Sequence, residues 1–160
     1  MGKITTIHGC IFGNPGSMNR SDRFLRIVGA NARAIDQLPA TDEYPPLTRN
    51  MFSITASDYT QPGFYKYQMI HFAASLKYID EAWEEWLRKL EALLRVMYWK
   101  KVNLKLELEW PPDGFDERSY EYTWLPTDVA LNACFGSESP LPIDAWVFSG
   151  GPRSFKNKSP

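Results

Sequence analysis

Ile79, Ala82, Trp83, Trp86, Leu87, Leu90, Leu93, Leu94, Met97 and Tyr98 recur at three- and four-residue spacing, the period of one helix face. Val102, Leu104, Leu106, Leu108 and Trp110 then alternate strictly with polar residues, the period of a strand with one face buried. The first pattern predicts an amphipathic helix capped by Asp80, about nineteen residues and on the order of 28 Å long. Glu81, Glu84 and Glu85 fall in its first turns and Arg95, Lys100 and Lys101 near its end, the order the helix dipole favours. Glu84 to Arg88, Glu85 to Lys89 and Glu91 to Arg95 are spaced as i,i+4 pairs. A helix feeding a strand this way predicts an α+β domain with one apolar sheet face under a helix.

The rest of the chain extends that sheet. Residues 4–12 are rich in β-branched side chains and stop at Gly13-Asn14-Pro15-Gly16, which predicts a first strand and a turn. Ser21 or Asp22 is placed to cap a second helix, whose apolar residues Phe24, Leu25, Val28, Ala32, Ile35 and Leu38 run up to Pro39. Residues 39–50, with three prolines and the acidic pair Asp42-Glu43, read as an ordered loop. Residues 51–59 and 64–76 predict a hairpin turning at Thr60-Gln61-Pro62-Gly63. Residues 101–110 and 119–125 predict another, with Tyr120, Tyr122 and Trp124 sharing one face. The expected fold is therefore a single α+β domain over residues 1–150, a mainly antiparallel sheet covered by two helices. Its order is βαββαββ, split-βαβ-like, with a short C-terminal extension. That extension holds a short helix capped by Thr127 and an apolar strand near residues 145–148, and residues 151–160 read as a flexible tail.

Charge removes one class of partner and suggests another. The formal net charge is −1 and the isoelectric point about 6.1, which disfavours a nucleic-acid binder held by phosphate contacts. Between Tyr78 and Asp128 twelve acidic residues stand against seven basic ones, a local balance of −5. A solvated face is the plain explanation, and an acidic surface that docks a basic protein partner is the sharper one. The residues carrying the sharper reading are Asp42, Glu43, Glu81, Glu84 and Glu85 as acceptors for Arg or Lys, with Tyr44 as an aromatic anchor.

Candidate chemistry is sparse. His8 and Cys10 share a parity in the first strand, and His71 lies in the third. Were those strands neighbours, the three side chains would converge as a thiol–imidazole pair or a partial metal site; the plainer reading is three half-buried sheet residues. No catalytic set, metal site or cofactor motif is expected. Gly9, Gly13 and Gly16 precede a helix with Arg20, Arg23 and Arg26 nearby, but their spacing fits neither nucleotide-binding fingerprint. Cys10 and Cys134, without a CxxC or CxxH pattern, read as buried free thiols. No leader and no apolar membrane-length run is evident, so a cytoplasmic location without membrane attachment is expected.

The blocks LPATDEYPPLTRNMFS (38–53), MIHFAASLK (69–77) and EAWEEWLRKLEALLRVMYW (81–99) resemble small bacterial single-domain immunity proteins of polymorphic toxin systems. The resemblance is one of general character, compact α+β, aromatic-rich and slightly acidic. It implies a non-enzymatic module that neutralises a cognate toxin by binding it. Two further readings stand beside it. One is a small enzyme acting on a phosphorylated or nucleotide substrate near residues 14–26, with His8 or His71 as acid–base. The other is a structural homo-oligomer, a homodimer among its forms, using a sheet edge.

Overall fold

A computed structural model describes residues 3–13, 22–54, 68–135 and 140–156. Three ten-residue strands form the centre: β1 (Ile4–Gly13), β3 (Gln68–Lys77) and β4 (Trp99–Leu108). The shorter β2 (Phe52–Ile54), β5 (Ser119–Pro126) and β6 (Trp146–Gly150) extend them outward. The result is one six-stranded sheet in the order β2-β3-β1-β4-β5-β6, antiparallel at every pairing. β3 and β4 therefore run parallel to each other on either side of β1. The helix α2 (Trp83–Leu94) joins them, so β1 divides a crossover unit.

Alternation decides which face each strand buries. Ile7 and Ile11 of β1, Ile70 and Phe72 of β3, Val102, Leu104 and Leu106 of β4, and Tyr122 and Trp124 of β5 are all buried. They form one core with Trp83, Trp86, Leu87, Leu90, Leu93 and Leu94 of α2. Trp83 and Trp86 stack at 5.3 Å with rings 6° apart, and neither indole leaves its polar edge idle. Trp83 Nε1 donates to Tyr122 Oη at 3.0 Å and Trp86 Nε1 to the Pro46 carbonyl at 3.0 Å, which removes the cost of burying an unmade hydrogen bond. The helices α1 (Asp22–Asp36) and α3 (Asp128–Phe135) add Ala34, Ile35, Ala130 and Cys134 to the same core. Gly9 makes this packing possible, because a Cβ there would stand 2.4 Å from both the Asn103 carbonyl and the Phe72 ring.

Several expectations need correction. Asp80 is not the helix cap: residues Ile79–Ala82 form a 3-10 turn in which Asp80 is buried, and α2 starts after Ala82 without a side-chain cap. Met97 and Tyr98 carry the helical period but lie past the helix end, Met97 in the core and Tyr98 bonded to Asn31. Trp110 is 60% exposed because β4 ends at Leu108. On α1, Leu25 is exposed, and the buried face carries Asn31 among Ile27, Val28, Ala34 and Ile35. Fully buried, Asn31 donates to Gln68 Oε1 and the Tyr98 carbonyl and accepts from the Tyr98 amide, tying α1 to β3 and to the turn that enters β4. The C-terminal extension supplies α3 and the sixth strand, and Thr127 Oγ1 accepts from the Ala130 amide at 3.2 Å as a capping residue does. Residues 151–156 stay packed, with Phe155 buried against Tyr120 and Phe115. The expected turn at residues 60–63 and the Ser21 cap lie outside the described residues.

Candidate functional site

The strand parity that buries one sheet face turns the other outward. All three helices serve the buried side. Among the described residues, none of the helices covers the opposite face. The register there aligns one polar row across every strand: Ser53 of β2, His71 of β3, Cys10 of β1, Asn103 of β4, Thr123 of β5 and Ser149 of β6. A second row runs Ala73, His8, Lys105 and Glu121. From Ser53 to Thr123 in the first row, and along the whole of the second, these residues floor an open concavity of about 750 Å³. His8, Cys10 and His71 thus share one surface, with Cys10 and His71 directly opposed, a placement that brings Cβ atoms to roughly 5 Å.

What this face can do chemically follows from its charges. Lys105 pairs with Glu107 at 3.0 Å, and Glu107 also accepts from Thr6 Oγ1 at 3.5 Å. The Lys105 ammonium accordingly holds the Glu107 carboxyl below the usual range. Partial burial pushes the Cys10 thiol up, against a weaker lowering by the Ile70 main chain. That direction disfavours the thiolate that attack or metal ligation needs. Cys10 is only half-buried, whereas Cys134 is fully so. Among the described residues no three His, Cys, Asp or Glu side chains are arranged to hold a metal ion. The row residues Ser53, Asn103, Thr123 and Ser149 escape a search for reactive side chains. Their outward parity is legible in sequence; their alignment is not.

The acidic candidates divide by role. Asp42 is a strut: it accepts from the Leu47 amide at 2.9 Å and from Lys89 Nζ at 2.8 Å, and these two bonds hold its carboxyl below the usual range. Lys89 also donates to the Glu43 and Pro45 carbonyls, so one cation pins loop 42–45 to α2. Lys89 thereby turns away from Glu85. Glu91 likewise pairs with Arg153 and accepts from Trp124 Nε1, while Arg95 donates to the Asp144 carbonyl. Of the three expected i,i+4 pairs only Glu84–Arg88 forms, at 2.9 Å. Tyr44, 53% exposed, donates to the Lys77 carbonyl at 2.8 Å. Its phenol is pushed up by burial and then by the charges of Asp80 and Glu81, which places the loop tip beside the start of α2. Tyr78 stands there too, 42% exposed and in the left-handed region at φ 58°. Glu43, Glu81 and Glu85 are exposed, completing an acidic ridge with two tyrosines.

Comparison with known proteins adds no relative. No family model, no curated protein and no solved structure matches this chain. No described helix is long and apolar enough to cross a membrane.

Proposed function

We propose that this chain is a non-enzymatic protein-binding module, an inhibitor of the immunity-protein kind that neutralises a toxin or another effector by covering it. In this reading the ridge of Glu43, Tyr44, Tyr78, Glu81 and Glu85 receives a basic surface of the partner. The observation that carries it is the pinning of the ridge: Asp42, Lys89 and the Tyr44 hydroxyl fix the loop against α2 and β3. A site fixed before binding loses less conformational freedom on association. Exposed tyrosines bring large contact area, and carboxylates around them steer a basic partner and reject an acidic one.

The test is retention on the immobilised chain. Extract of the native cell is passed over wild type, over a ridge variant (Glu43→Lys, Glu81→Lys, Glu85→Lys) and over a sheet-face variant (Asn103→Arg, Thr123→Arg). A basic protein held by wild type and the face variant but lost from the ridge variant is the expected result. Retention that survives ridge reversal and fails on the face variant would move the site to the sheet.

The convergence of His8, Cys10 and His71 in one concavity favours a second reading, a small enzyme working on the open face. Of its proposed substrate region, residues 14–21 lie outside the described residues. Burial that raises the Cys10 thiol weighs against a nucleophilic role, and rapid native-state labelling of Cys10 would restore it.

A further inference from the structure

The two edges of the sheet are built differently. β2 ends it with three residues, and short edge strands are one way a fold avoids pairing with other chains. β6 is longer, and Trp146-Val147-Phe148-Ser149-Gly150 contains neither a charged residue nor a proline, two of the devices that blunt an edge. Among the described residues no strand pairs with its outer side.

Hydrogen bonds at both ends of β6 show which main-chain groups face outward. The Thr127 amide donates to the Ala145 carbonyl and the Gly151 amide to the Glu121 carbonyl, in step with the register Leu125↔Val147 and Thr123↔Ser149. Residues 145, 147, 149 and 151 therefore bond inward to β5. By the alternation of an antiparallel ladder, the N–H and C=O groups of Trp146, Phe148 and Gly150 point away from the sheet. Beside them the uncovered face is apolar: Val147 is 61% exposed, and its cross-strand neighbour Leu125 is 46% exposed.

From this we infer that β6 is a homodimerisation edge, pairing antiparallel with β6 of a second copy about a two-fold axis at Phe148. The outward groups are spaced symmetrically about Phe148, so Trp146 meets the second copy's Gly150 and Phe148 meets Phe148, with every outward donor and acceptor matched. Such an isologous contact closes at two copies. Electrostatics allow it, because the strand is uncharged and the cations nearest its buried face are occupied within their own chain. Arg153, over the Phe148 ring, pairs with Glu91; Arg95, over the Trp146 ring, bonds the Asp144 carbonyl. Gly150, at φ 130°, ends the strand and confines the pairing to these five residues. The outcome is a twelve-stranded sheet that brings two copies of the open face side by side and leaves both acidic ridges free.

Sedimentation velocity of the full chain over a range of concentrations, with hydrogen exchange read residue by residue, tests this. Wild type should pass from monomer to dimer, with the Trp146 and Phe148 amides gaining protection as dimer forms and the Val147 and Ser149 amides protected throughout. Val147→Lys, an exposed position whose inward main-chain bonds are kept, should weaken the dimer by about tenfold or more through lost apolar contact and like charge across the axis. Wild type that stays monomeric would overturn the inference. So would a dimer that Val147→Lys leaves intact with the Phe148 amide still exchanging freely, because the contact would then lie elsewhere.

Discussion

Trp86 concentrates the residue-scale forces of this protein in one side chain. It is 1% exposed, stacked on Trp83, tilted against Phe72 and hydrogen-bonded to Pro46. Trp86→Ala should cost about 3–5 kcal/mol in a denaturant titration, from lost transfer and the cavity left behind; a midpoint equal to wild type would refute the packing described. Asp42 shows a charge with a structural task. Its carboxyl is held below the usual range by the Leu47 amide and Lys89, so it contributes stability at neutral pH. That contribution should fade as pH falls through the ordinary Asp value of about 3.9 toward the lower folded value. Asp42→Asn should be less stable than wild type at pH 7 and converge on it in acid, as thermal melts across that range will record. Cys10 should react slowly with a thiol reagent in the native state despite being half-exposed, because its pKa is raised. These roles were only partly legible in sequence. The buried tryptophans follow from periodicity, whereas Asp42 reads as a free acceptor until Lys89, far along the chain, is seen to reach it.

At the scale of elements, periodicity located the pieces and misjudged their ends. The stretch read as one long helix is a 3-10 turn, a twelve-residue α2 and a turn carrying Met97 inward. All three present apolar residues at similar spacing, and the spacing alone does not separate them. Local rules likewise failed for Lys89, Glu91 and Arg95, because tertiary partners outcompete a surface i,i+4 pair of about 0.2–0.5 kcal/mol. Gly9 illustrates the reverse case, a residue whose meaning only the sheet reveals. Its missing side chain lets the Phe72 ring cross β1 on the core face. Gly9→Ala should destabilise by about 1–3 kcal/mol through overpacking. A melting temperature unchanged by that methyl would mean that the ring has room the structure does not show.

Across the whole molecule, the α+β class and the apolar face of the sheet follow from alternation, but strand order and register do not. Nothing local in β2, β3, β1, β4, β5 and β6 announces that Ser53, His71, Cys10, Asn103, Thr123 and Ser149 fall on one line. Glu43, Tyr44, Glu81 and Glu85 are legible in sequence as ridge residues; Tyr78 is not, Asp42 and Glu84 turn out to be paired within the chain, and the assembly is hidden because it needs the Pro-rich loop folded back onto α2 and β3. The resulting molecule has two surfaces of different character, a concave sheet face crossed by one polar row and a pinned acidic ridge with two tyrosines. If the ridge binds the partner, as proposed, the rate of association separates the two surfaces most directly. With the retained partner in hand, stopped-flow association is measured for wild type and for Glu43→Lys, Glu81→Lys, Glu85→Lys as salt shortens the Debye length from about 10 Å at 0.1 M to about 3 Å at 1 M. The expected result is a wild-type rate that falls steeply with salt and a variant that is slow at every salt concentration. Equal rates for the two proteins, with the same salt dependence, would contradict it and leave the ridge a merely solvated surface.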